Sequence, residues 1–162
     1  THYWYIFEKE IPKDIWENFA TDFVKLVPHF YDILDQTTEQ KLNIDNEEII
    51  FNGVGENSHE TFYINRKNKL NKEDNSYFNF CKTARKPYDI AVCCTLIIAK
   101  YYFGNGIRIS SDGQNNDRVD GWDNATELCQ KILKYGKRFN ISHESGIGEF
   151  GDGGNDTRGI SI

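Results

Sequence analysis

Apolar residues recur along this chain with two different periods, and the switches between them mark out its elements. Tyr3-Trp4-Tyr5-Ile6-Phe7 is built from strand formers and predicts a first strand. Ile15, Phe19, Phe23 and Val27 then recur every four residues, with Trp16 and Leu26 beside them. That spacing predicts an amphipathic helix from about Lys13 to Val27, ended at Pro28 and followed by a short helix over His29–Leu34. Thr37 to Glu48 is polar and reads as loop. Ile49-Ile50-Phe51 and the alternating His59-Glu60-Thr61-Phe62-Tyr63-Ile64 predict an antiparallel pair joined through Asn52-Gly53-Val54-Gly55. After the charged stretch Arg66–Ser76, strands are predicted at Tyr77–Cys81 and Ile107–Ile109.

The strongest helix signal runs from Pro87 to about Phe103. Proline suits a first helical position, and Asp89 suits the first turn. Its middle, Ile90 to Ala99, is apolar nearly all round, so it is predicted to be the central buried helix. A last helix is predicted from Asn124, with Glu127 completing a capping box and Gly136 closing it. The order points to an α+β domain: a mostly antiparallel sheet of about five strands with two to three helices. The domain is expected to span 1–141, with 142–162 a Gly-rich tail through which copies of the chain could associate.

Composition narrows the function classes. The chain has 162 residues, 38% hydrophobic and 14% aromatic, which is enough for one domain with an aromatic core. No apolar run is long enough for a membrane span, and the first residues carry no signal-peptide pattern, so a cytoplasmic protein is expected. The formal net charge of −6 argues against generic nucleic-acid binding, although a local anion site is compatible with it. Cys81, Cys93, Cys94 and Cys129 have neither disulfide-framework nor zinc spacing. They are expected to be reduced and buried, and no metal or cofactor is implied.

Candidate chemistry concentrates in Cys81-Lys82-Thr83-Ala84-Arg85-Lys86-Pro87-Tyr88-Asp89. Three cations precede the N-terminus of the predicted buried helix, where the macrodipole disfavours them unless an anion binds between them. Lys82, Arg85 and Lys86 are therefore candidate phosphate ligands. Tyr88, with Tyr63 and Tyr77, is a candidate for stacking on a base. His59 and Thr61 share a face of their predicted strand and are the candidate catalytic pair, approached by a glycine-bearing loop. Asp112, in Ser110-Ser111-Asp112-Gly113, is expected near the cations. An EF-hand counted from Asp112 fails, because its sixth and twelfth positions are Asp117 and Asp123. A second His-x-Ser/Thr, His143-Glu144-Ser145, gives a partial resemblance to two-histidine phosphoesterases. Glu60 and Glu144 stand where that family usually has an apolar residue.

The segments Phe51-Asn52-Gly53…His59-Glu60-Thr61-Phe62, Phe80 to Asp89, and Ser110-Ser111-Asp112-Gly113 together resemble a family of small phage and bacterial proteins. The resemblance spans roughly Ile49 to Trp122 and implies a phage context, in a host-cell cytoplasm, without implying a mechanism. Three functions stay open on these residues. The first is binding, or hydrolysis through His59, of a phosphorylated small molecule such as a nucleotide signal in counter-defence. The second is a structural component of a virion or its assembly. The third is an inhibitor that binds another protein.

Overall fold

The computed structural model describes residues 1–113, 121–142 and 144–151. Its larger sheet is antiparallel with five strands: β1 (His2–Ile6), β5 (Tyr77–Cys81), β6 (Ile107–Ser111), β7 (Phe139–Ile141) and β8 (Ile147–Phe150). The spatial order is β5-β1-β6-β8-β7, so β1 lies between β5 and β6. A smaller antiparallel sheet joins β2 (Asn43–Ile44), β3 (Glu48–Phe51) and β4 (Phe62–Asn65). The fold is α+β, with helices α1 (Lys13–Leu26), α2 (Asp89–Phe103) and α3 (Trp122–Leu133).

The pleat sorts β1 by parity: His2, Trp4 and Ile6 are buried, while Tyr3 and Tyr5 are half-buried on the other face. Ile107 and Ile109 of β6 join the buried side. Helix α1 buries Trp16, Phe19, Phe23 and Leu26; of the four-residue series, Phe19 and Phe23 are buried while Ile15 and Val27 are half-buried. Helix α2 is covered nearly all round, and its Thr95 hydroxyl donates back to the Ala91 carbonyl at 2.7 Å rather than stay unsatisfied. The smaller sheet closes the core through Phe51 and Phe62. Their rings lie 4.9 Å apart, with Phe23 stacked on Phe51 at 5.7 Å and Trp4 5.0 Å from Phe62.

Several boundaries differ from the sequence reading. Leu26 is followed by a single 3-10 turn at Val27–Phe30 instead of a helix reaching Leu34. Helix α3 starts at Trp122 behind Gly121, without the Asn124 capping box. The burial of Trp122, stacked on Phe139 at 5.2 Å, outweighs the cap. Strand β8 lies inside the stretch expected to be tail, paired between β6 and β7. The strand expected over His59–Ile64 begins only at Phe62, so His59 and Thr61 precede it. No described helix is long and apolar enough to cross a membrane.

Candidate functional site

The end of the larger sheet where β1, β5 and β6 meet the start of α2 holds a cavity of about 450 Å³. Thr1, His2, Lys82, Thr83, Ala84, Arg85, Asp89 and Asp112 line it. Lys82, Arg85 and Asp112 of the candidate residues therefore face one space. His59, Thr61, Lys86 and Tyr88 are not part of that lining.

The cationic rim is held by its own turn. Lys86 N–H donates to the Thr83 carbonyl at 3.0 Å, closing a four-residue turn whose central residues, Ala84 and Arg85, both have positive φ (51° and 58°). Such turns ordinarily carry Asn-Gly, because a Cβ in the left-handed region costs roughly 1–2 kcal/mol per residue. Two non-glycine residues here carry stored strain, and it sits where Arg85 meets the cavity. Lys82 is fixed from behind. Its N–H donates to Glu60 Oε2 at 2.6 Å, and its carbonyl accepts from His59 Nδ1 at 2.7 Å and from Glu60 N–H at 3.3 Å. His59 is thus a positioning residue for the Lys82 backbone.

The loop before His59 is organised by buried Asn52. Its Nδ2 donates to the His59 carbonyl (2.9 Å), Thr61 Oγ1 (3.2 Å) and Gln40 Oε1 (2.7 Å), while its Oδ1 accepts from Gly53 and His59 N–H groups. Gly53 serves packing: a Cβ there would lie 2.1 Å from the Asn57 carbonyl oxygen and 2.9 Å from the Tyr88 ring. Tyr88 itself is fully buried and donates its hydroxyl to the Glu60 carbonyl at 2.7 Å, so it offers no face to a base. Burial drives its phenol well above the ordinary range. Tyr63 and Tyr77 are joined through their hydroxyls at 3.3 Å, and Tyr77 is pushed up to about 12 by burial and that partner.

The cavity floor is a buried network centred on His2 and Asp89, neither of them among the sequence-derived site candidates. Asp89 Oδ1 accepts from His2 Nε2 at 2.7 Å and from the Thr83 hydroxyl at 2.5 Å; Oδ2 accepts from the Cys93 thiol at 3.5 Å. On the other side of the imidazole, Ser111 Oγ accepts from Trp122 Nε1–H (3.1 Å) and Gly113 N–H (3.0 Å). A hydroxyl has two lone pairs and one proton, so with both lone pairs taken its proton goes to His2 Nδ1, 2.7 Å away. His2 is thereby assigned the Nε2–H tautomer, donating to Asp89. His2, Asp89 and Cys93 have the donor atoms of a metal site within 4.8 Å of one another. The network puts a proton on the nitrogen a metal would need, so hydrogen bonding accounts for the cluster.

Charge is distributed unevenly around the space. Asp112 accepts from the Thr1 nitrogen at 2.9 Å, and the Asp89 carboxylate is occupied by the three donors above. Among the described residues Lys82 and Lys86 make no ion pair. His143 of the second His-x-Ser lies outside the described residues, as do Asp117 and Asp120. Ser145 accepts from the Ile147 N–H in the turn before β8. His2 had one signal in the sequence: on a strand of alternating parity it falls on the same side as Trp4 and Ile6.

No protein-family model, no curated protein and no solved structure matches the chain.

Proposed function

We propose that the protein binds a phosphorylated small molecule in the cavity lined by Lys82, Arg85 and the start of α2. The observation that carries this reading is that Lys82 and Arg85 line one cavity at the start of α2. A phosphate between Lys82 and Arg85 would take charge-assisted hydrogen bonds from both side chains, close to the positive end of the α2 dipole. Strain at Ala84–Arg85 is of the kind that accumulates at binding sites. Binding is favoured over hydrolysis, since both imidazole nitrogens of His2 are committed and His59 is bonded behind Lys82.

Thermal denaturation in the presence of inorganic phosphate, mononucleotides and cyclic dinucleotides tests this. A ligand at a hundredfold excess over its dissociation constant stabilises by about 2.7 kcal/mol, a rise of several degrees in Tm. The rise should vanish in Arg85→Ala, shrink in Lys82→Ala and His59→Ala, and persist in Lys137→Ala on the loop after α3. If none of these compounds moves the melt of the wild-type protein, the reading is wrong.

A further inference from the structure

The buried cluster beneath the cavity is also built like a metal centre. Asp89 and Cys93 stand four residues apart at the start of α2, so they share one face of that helix. His2 reaches them from the inward side of β1. All three sit on regular elements, and their exposures are 2% for His2, 5% for Asp89 and 0% for Cys93.

The spacing of the donor atoms fits one small ion. Cys93 Sγ lies 3.7 Å from His2 Nε2 and 3.5 Å from Asp89 Oδ2. A tetrahedral zinc ion binds nitrogen and oxygen at about 2.0 Å and sulfur at about 2.3 Å, which separates its ligand atoms by about 3.3–3.5 Å. The contact that has to open is the 2.7 Å hydrogen bond from His2 to Asp89 Oδ1. Two of the ligands are held from behind. Ser111 Oγ stands 2.7 Å from His2 Nδ1, and the Thr83 hydroxyl holds Asp89 Oδ1, which leaves Oδ2 to face an ion. Outer partners of this kind orient the ligands of metal sites. Gly121 keeps one side of Oδ2 uncovered, since a Cβ there would lie 2.5 Å from that oxygen.

We infer that His2 Nε2, Asp89 Oδ2 and Cys93 Sγ form a binding site for a zinc ion, whose fourth position opens on the cavity that His2 and Asp89 line. One thiolate, one carboxylate and one imidazole are a donor set that suits zinc, and the two anionic ligands balance its charge. Hydrogen bonding accounts for the cluster while no ion is bound, and zinc binding exchanges part of that network for bonds to the metal. The Cys93 thiol proton leaves to solvent. The imidazole proton moves from Nε2 to Nδ1, where Ser111 Oγ turns from donor to acceptor and gives up the Gly113 N–H. One proton is therefore released for each ion bound. The inference stands apart from phosphate binding.

The test is metal binding to protein stripped with a chelator. Zinc titration should give one site per chain. Cobalt(II) in its place should show the near-ultraviolet charge-transfer band of a thiolate ligand. Cys93→Ser should abolish that band and Cys94→Ser should leave it intact, while Thr83→Val should weaken zinc about 10–100-fold. X-ray absorption of the zinc-loaded wild-type protein reads the site without any variant: one sulfur at about 2.3 Å, the other ligands nitrogen and oxygen at about 2.0–2.2 Å. Absence of stoichiometric binding overturns the inference. A coordination sphere without sulfur overturns it by leaving His2 to bind without Cys93, and one with two sulfurs by moving the ion toward Cys94 and Cys129. A cobalt band that survives Cys93→Ser overturns it as well. Zinc bound as described, with no phosphate compound raising Tm, supports this site and sinks only the phosphate reading.

Discussion

Ala84 occupies a backbone conformation that L-residues avoid, and it has no long side chain to justify the position. Replacing it with glycine removes the Cβ clash without touching Arg85. Ala84→Gly should stabilise the protein by about 1 kcal/mol, less whatever the added unfolded-state freedom of glycine takes back. Chemical denaturation of the two proteins measures the difference. A destabilised variant would show that the turn is unstrained and the φ values carry no stored energy. A stabilised variant with weaker ligand binding would show that the stiffness of the turn aims Arg85. At the same scale, Lys82 and Arg85 stand out in the sequence because their charge cluster is local, whereas Asp112 reaches the same cavity from the end of β6. It misassigned Tyr88, since the residue's fate depends on the Glu60 carbonyl 28 positions away. His59 and Thr61 looked like strand residues by alternation, but Asn52 takes their polar groups in a loop network, and sequence spacing cannot reveal that competition.

Among the elements, α2 was the most legible, because a run apolar on every side can only be central. Strand β8 was the least. Its four residues include Gly148, and glycines nearby give a tail-like composition. That glycine is nonetheless a packing requirement: a Cβ would lie 2.4 Å from the end of the Phe139 ring and 2.7 Å from Ile141 Cδ1. The Phe139 ring cannot swing aside, being stacked on Trp122 at 5.2 Å and edge-on to Phe150 at 5.6 Å. Gly148→Ala should therefore cost about 1–3 kcal/mol through overpacking. Amide exchange in β7 and β8 should rise with it, since β8 is what joins β7 to the sheet. Unchanged stability and exchange would mean that the stretch is the loose tail its composition suggests. The Asn124 capping box failed for a related reason: a small local gain lost to the burial of one tryptophan.

For the whole molecule, the four cysteines report on how tightly the core is closed. All are buried thiols, none of them in a disulfide. Burial pushes the Cys81 thiol up to about 12, and raises Cys94 well above its ordinary value, with Cys129 beside it. Thiolate, the reactive form, is scarce at such sites. The native protein should therefore react slowly with a thiol reagent at pH 8, and four thiols should appear on denaturation without reductant. Rapid modification of the native state, or fewer than four thiols when unfolded, would contradict the core as described.

The central position of β1 also bears on how the chain reaches its fold. Both of its partners come well after it in the sequence, Tyr77–Cys81 on one side and Ile107–Ser111 on the other, and His2 and Ser111 are 109 positions apart. During synthesis the aromatic segment Tyr3-Trp4-Tyr5-Ile6 leaves the ribosome long before either partner exists. Closing loops of that length precedes any reward from pairing, which makes folding slow for a domain of this size. Throughout that interval an unpaired, aromatic strand is available to other nascent chains or to chaperones. The same strand that carries the site's imidazole is thus the part of the chain most in need of shelter before the protein is complete.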